Sequence, residues 1–192
     1  MGTTFTHRNG GDAHGIGVLG PQGRGTPAHF GLRSPRLLYM ATLGKALGGY
    51  GAFVCGDEDV VEWLLQRART YVFSTALPPM VAAALVASLD VLEDDTTPVP
   101  RLHAHIQRFR AGCDAHAIPV TPSFTAIQPI VVGSAERALA ASAILRERGL
   151  LVPAIRPPTV PAGTSRLRVS LSAGHAESQI DALLQALPDA LA

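Results

Sequence analysis

Sixteen side chains in this sequence are lysine or arginine, and Lys45 is the only lysine among them. The difference is chemical. A guanidinium stays protonated and cannot attack a carbonyl carbon, whereas a neutral lysine amine can do so and form an imine. Lys45 is therefore the candidate covalent nucleophile. It stands in Thr42-Leu43-Gly44-Lys45-Ala46-Leu47-Gly48-Gly49. Glycines on both sides let the backbone come close to a bound group and leave the lysine room to move. The string is not a phosphate loop. Such a loop needs a glycine five residues before its Gly-Lys pair, where Tyr39 stands, and Ser or Thr after the lysine, where Ala46 stands.

Three further segments hold residues able to bind or react. Asp12 to Gly25 is a glycine-rich stretch containing His14, which on its own reads as a turn histidine. Phe73-Ser74-Thr75-Ala76-Leu77-Pro78-Pro79 presents two adjacent hydroxyls. Ile155 to Thr164, followed by Arg166-Leu167-Arg168, carries guanidinium groups that can grip a carboxylate at two points. His103 and His105 lie two apart on an expected helix, so they share no face and read as solvated. With Cys55 and Cys113 they match no metal-ligand spacing. The two thiols read as reduced and mostly buried.

These four segments, in this order and at this spacing, resemble the α-oxoamine synthases, a branch of the fold-type I enzymes that use pyridoxal 5'-phosphate (PLP). The resemblance runs from Gly11 to the C-terminus and covers the C-terminal half of the family's length. It implies an α/β fold: the end of a PLP-binding large domain over residues 11–92, then a small α+β domain over residues 93–192. It also implies a homodimer with active sites between subunits. By the same resemblance, Lys45 holds PLP and moves protons at the substrate α-carbon, and His14 hydrogen-bonds the pyridine 3-oxygen. Thr42, Ser74 and Thr75 contact the phosphate, the last two from across the dimer interface. Arg156 meets the substrate carboxylate and Thr159 touches substrate. Arg168 either assists Arg156 or pairs with surface carboxylates. The Arg156-Pro157-Pro158-Thr159-Val160-Pro161 string resembles the branch that condenses L-alanine with a pimeloyl thioester, carried by coenzyme A or an acyl carrier protein. A glycine C-acetyltransferase-like acyltransferase is the alternative chemistry.

The sequence departs from the family at two places. The other half of the family's length precedes Gly11, and residues 1–10 resemble nothing in it. The family strand ends in Asp-x-Ala-His, whose first aspartate pairs with the pyridinium nitrogen; three residues before His14 stands Gly11. Asp12 is adjacent, but neighbouring strand side chains point to opposite faces, so it is a poor substitute. The expectation is a remnant from an interrupted gene or an alternative start, weakly active, inactive alone or non-catalytic.

The elements that must position these residues follow from patterning. The first thirty-five residues, rich in glycine and proline, read as loop and turn. Leu37 to Ala41 and Ala52 to Cys55 read as strands. Asp57 caps a helix with Val60, Val61, Leu64, Leu65 and Ala68 on one face, and Pro79 opens a long helix to about Glu93. Asp94 to Pro100 breaks the pattern. A helix near 101–116, a strand near 127–132, a helix over 134–148, strands over 150–155 and 166–172 and a closing amphipathic helix complete the chain. Alternating strands and helices mean an α/β or α+β architecture.

The chain has 192 residues, 47% of them apolar and 16% charged, with a net charge of +1, so it can bury a sizeable core. Without a run of like charge it lacks the footprint of a nucleic-acid or membrane-surface binder. No apolar stretch reaches the about 20 residues needed to span a bilayer. The polar N-terminus, Met1 to Asn9, has no signal-peptide segment, and a cytoplasmic protein is expected.

Overall fold

The computed structural model describes residues 8–192. Most of the polar N-terminal stretch therefore lies outside the described residues. The chain divides into two compact units, one ending at Val99 and the other spanning Pro100–Ala192.

Unit 1 is built on a three-stranded sheet in the order β1-β2-β3, from β1 (Arg8–Gly11), β2 (Leu37–Thr42) and β3 (Ala52–Cys55). β1 runs parallel to β2, pairing Gly11 with Met40, while β3 runs antiparallel and pairs Ala41 with Phe53. The reading of residues 1–35 as loop and turn is corrected here. β1 has no apolar alternation and ends in two glycines, so pairing with β2 forms it, not intrinsic propensity. Between β1 and β2 lie a 3-10 turn (Pro21–Gly23) and α1 (Thr26–His29), each with proline in its first turn. After β3 come α2 (Glu58–Arg67), α3 (Arg69–Val72) and α4 (Pro79–Asp94). The Asp57 carboxylate caps α2 by accepting from the Asp59 amide. The core is a small cluster of Ile16, Ala41, Leu43, Leu47 and Leu85, with Tyr39 and Phe53 packed on it.

Unit 2 has a second sheet, antiparallel throughout, in the order β4-β6-β5. Its strands are β4 (Ile127–Gly133), β5 (Ala154–Ile155) and β6 (Ser165–Ser170). α5 (Pro98–Ala115), α6 (Ala135–Glu147) and α7 (Glu177–Leu191) complete it. The strand expected over 150–155 is reduced to its last two residues. On β6, Leu167 and Val169 are buried and Arg168 is exposed, as period-two patterning requires. α7 buries Ile180, Leu183, Leu184 and Leu187. α5 buries His105, whose Nδ1 lies 3.0 Å from the Ser172 carbonyl. This corrects the reading of that histidine as solvated: the helix face it shares with Leu102, Ile106 and Phe109 turns inward. His103 is half-buried. Cys113 is buried but Cys55 is exposed, against the reading of both thiols as mostly buried, because β3 has little packed on it. Among the described residues no group of histidine, cysteine and carboxylate side chains could hold a metal ion. Nor is any described helix long and apolar enough to cross a membrane.

One buried carboxylate ties unit 1 together. Asp12, 7% exposed, follows β1. Its Oδ2 accepts from the Thr26 amide at 2.7 Å and from the Tyr39 hydroxyl at 2.9 Å, and its Oδ1 accepts from the Thr26 hydroxyl at 2.6 Å. Its own amide donates to the Met40 carbonyl at 2.8 Å. The residue after β1, the first residue of α1 and a residue of β2 thus converge on one group. Glycine is required around it: a Cβ on Gly15 or Gly25 would overlap the carboxylate. Burial alone would push the Asp12 carboxyl up, but hydrogen bonds from Thr26 and Tyr39 outweigh that and hold it below its ordinary value. Burial, and then the bond to Asp12, push the Tyr39 hydroxyl up.

Two predictions follow from these packings. Phe109 is fully buried, so Phe109→Ala should cost unit 2 about 3–5 kcal/mol in urea unfolding. A cost under about 1 kcal/mol would contradict its place in the core. Asp12→Ala should cost about 1–3 kcal/mol at neutral pH. Because the folded carboxyl titrates below its ordinary 3.8, that contribution is complete above 3.8 and fades as the pH falls below it. The stability gap between the two proteins should therefore close in acid; a gap independent of pH would refute the ionised clamp.

Candidate functional site

The turn after β2 positions Lys45. Leu43 and Leu47 are buried and pull both ends of the turn into the core, leaving Gly44, Lys45 and Ala46 exposed between them. The backbone closes the turn through Gly48 N–H to Lys45 O at 3.0 Å and Gly49 N–H to Leu43 O at 2.9 Å. Gly48 takes a positive φ of 65°, and a Cβ on Gly49 would overlap Leu85 of α4. The glycines are therefore demanded by the turn itself.

Thr42 links this turn to the one bearing His14. Its hydroxyl donates to the Ala13 carbonyl at 2.9 Å and accepts from Lys45 Nζ at 2.9 Å. Gly17, at φ 75°, presses on Ala46 so closely that a Cβ there would lie 2.6 Å from the alanine methyl. His14 is exposed, between the buried Asp12 and the buried Gly15. The structure thus brings the His14 and Lys45 turns side by side, with Thr42 bonded to both. Ser74 and Thr75 are exposed in the segment joining α3 to α4.

Gly11 and Asp12 face opposite ways. Gly11 is exposed, and a Cβ built on it would meet nothing within 4 Å. Asp12 is turned into the fold and its oxygens are engaged by Thr26 and Tyr39. Space for a side chain exists at position 11, but no carboxylate is presented there. Thr26, Tyr39 and Gly17 escaped sequence reasoning. Tyr39 read only as part of an apolar run, and the one available signal was a buried-strand tyrosine whose hydroxyl needs a partner.

In unit 2, Arg156 and Thr159 form the turn after β5, where the Thr159 amide donates to the Arg156 carbonyl at 3.0 Å. Both side chains are exposed, and the peptide between Pro157 and Pro158 is cis. Arg168 is exposed on β6, its amide donating to Pro153 O at 3.0 Å. Among the described residues neither Arg156 nor Arg168 forms an ion pair, which leaves both guanidinium groups available to an anion.

Comparison with known proteins shows the family to which this chain belongs. Residues 12–187 match the family described as aminotransferase class I and II. The chain is 57% identical over 178 residues to 8-amino-7-oxononanoate synthase of Burkholderia thailandensis, covering 92% of this chain and 45% of that protein. It therefore spans less than half the length of the curated relatives it matches. Among solved structures, 8-amino-7-oxononanoate synthase of Francisella tularensis superposes with a TM-score of 0.84 at 35% identity, over 94% of this chain and 53% of that one. Serine palmitoyltransferase of Sphingomonas wittichii superposes with a TM-score of 0.87 at 30% identity, over 95% of this chain and 46% of that one. Other serine palmitoyltransferase structures were solved with PLP. The architecture is that of the corresponding part of the fold-type I PLP enzymes, and this chain belongs to the aminotransferase class I and II family.

Proposed function

We propose that this chain carries the lysine-bearing part of a PLP-dependent 8-amino-7-oxononanoate synthase of biotin biosynthesis. The observation that carries the reading is the lone lysine's setting: Lys45 Nζ exposed at the tip of a glycine turn, 2.9 Å from the Thr42 hydroxyl, in a chain 57% identical to such a synthase. These residues suit a cofactor that bonds covalently to an amine.

Lys45 would hold PLP. His14 would hydrogen-bond the ring oxygen from the adjoining turn. Thr42, with Ser74 and Thr75, would meet the phosphate, and in doing so the Thr42 hydroxyl would turn its proton from the Ala13 carbonyl to the anion. PLP, when bound, supplies an electron sink for the substrate α-carbon. Arg156 would grip the carboxylate of L-alanine with its planar fork, Thr159 would bound the substrate, and Arg168 would add a second positive charge. Lys45 would take the α-proton of the substrate on Nζ. The α-carbon would then bond to the acyl carbon of a pimeloyl thioester while the carbon–sulfur bond breaks and the thiol leaves. Loss of CO2 would leave the bond's electron pair at the α-carbon, and return of the proton from Lys45 Nζ to that carbon would give 8-amino-7-oxononanoate. The thiol is that of coenzyme A or an acyl carrier protein, the working assembly is a homodimer, and its site is the cytoplasm.

Gly11 favours a second reading, a non-catalytic relative that binds cofactor without activating it. No carboxylate stands where the family places one against the ring nitrogen, and Asp12 is spent on Thr26 and Tyr39. The two readings separate by experiment. Adding PLP to the chain should produce a visible absorbance band that Lys45→Ala abolishes; a band unchanged in that variant would sink the assignment of the lysine. Turnover of L-alanine with a pimeloyl thioester should be negligible in the chain alone, and robust turnover would overturn the inference from Gly11. Where product does form, a preference for glycine over alanine would overturn the substrate.

A further inference from the structure

Unit 2 separates its charges. All six of its aspartate and glutamate side chains (Asp114, Glu136, Glu147, Glu177, Asp181 and Asp189) lie on α5, α6 and α7. The stretches that build its sheet, 115–134 and 148–176, hold none. The helical carboxylates have their own partners: Arg108 pairs with Glu177 and Asp181, and Arg148 with Asp189. The sheet's cations are left without a counter-charge. β6 carries Arg166 and Arg168 on the face opposite the buried Leu167 and Val169, and among the described residues neither forms an ion pair.

Beside this row runs an apolar one. The register sets Val131 against Arg166, Pro129 against Arg168 and Ile127 against Ser170 on β4, and Ile155 of β5 against Arg166. Cross-strand neighbours of this kind stand about 5 Å apart. Gln128 and Ile130 are buried, so Ile127, Pro129 and Val131 share the open face, where Val131 is 44% exposed. The face offers a strip of hydrocarbon beside guanidinium groups, with no carboxylate on its strands to repel an anion. Arg166 is its most ordered cation. Half-buried, it donates from Nε to the Thr164 carbonyl at 2.9 Å, which fixes the guanidinium plane and leaves the two terminal amino groups for a ligand.

The condensation joins two substrates that each bear a carboxylate. That of L-alanine falls to Arg156, with Arg168 beside it; the one at the far end of the pimeloyl chain still lacks a cation. We propose that Arg166 grips this far carboxylate while the methylenes of the chain lie on the strip of Val131 and Pro129. Successive positions of the strip are about 6.8 Å apart, close to the end-to-end length of an extended pimeloyl chain. Arg166 is thereby a specificity-determining residue, selecting an acyl donor that ends in a carboxylate over one that ends in an ester or a methyl group. The identity of the ligand rests on the synthase reading, whereas the grip itself needs neither PLP nor turnover.

Binding to the full chain, with no PLP present, tests it. The probes are the N-acetylcysteamine thioester of pimelate, whose far carboxylate is free, and the same thioester as its far methyl ester. Nitrogen-15 NMR follows the arginine Nε–H signals, that of Arg166 being the one lost in Arg166→Gln. The free acid should move the Arg166 signal saturably and bind about fivefold or more tighter than the methyl ester. Arg166→Gln should bring the ratio of affinities to about one, and Arg166→Lys, which keeps the charge without the planar fork, to an intermediate value. Arg146→Gln, at an exposed arginine of α6, should leave the ratio intact. Equal affinity for the two thioesters, binding of neither, or a preference surviving Arg166→Gln would overturn the proposal. So would a preference lost equally in Arg146→Gln, which would reduce the effect to net charge. None of these results bears on the absorbance band that tests Lys45, so the two readings fail separately.

Discussion

The site depends on one buried negative charge. The Asp12 carboxylate collects three hydrogen bonds from Thr26 and Tyr39 and so fastens the end of β1, the start of α1 and the middle of β2 to a single point. A buried ionised carboxylate is costly unless its lone pairs are filled, and here several are, which is why it titrates below its ordinary value despite its burial. Removing any partner would leave a buried charge undersatisfied, so the three elements are coupled. The His14 turn leaves this anchor directly, with Ala13 held by Thr42 on its other side.

The same commitment limits the chemistry. Residues 11 and 12 point to opposite faces, and the charge lies on the inward one. The outward position holds glycine, with open space around it. A carboxylate cannot serve both faces: Asp12 could turn outward only by abandoning Thr26 and Tyr39. The lysine turn has no such conflict. Its glycines and its buried Leu43 and Leu47 leave the amine exposed, and the bond to Thr42 orients it. The lysine turn and the Asp12 clamp thus rest on separate residues.

The more regular parts of this architecture were legible from residues alone. α2, α4, α6 and α7 announced themselves by caps, an initiating proline and apolar spacing, and β6 by strict alternation. β1 did not, because Arg8-Asn9-Gly10-Gly11 carries no apolar pattern and becomes a strand only by pairing with β2. β5 shrank to two residues, since an apolar run such as Leu150 to Ile155 does not distinguish a strand from a loop whose side chains pack. His105 was misplaced because its burial depends on the Ser172 carbonyl, 67 residues away in sequence. Of the candidate site, the residue types in the Lys45 turn could be read directly. The clamp on Asp12 could not, since its partners at positions 26 and 39 meet it only through the sheet.

The central claim is that this fold presents Lys45, alone among its side chains, as an amine able to bond PLP. Borohydride reduction of the chain after incubation with PLP, followed by peptide mass mapping, tests it most directly. The account predicts one added pyridoxyl phosphate mass on the peptide containing Lys45, abolished by Lys45→Arg and retained in Phe73→Ala. Reduction that leaves the Lys45 peptide unmodified, or that marks only the N-terminal amine, would contradict it.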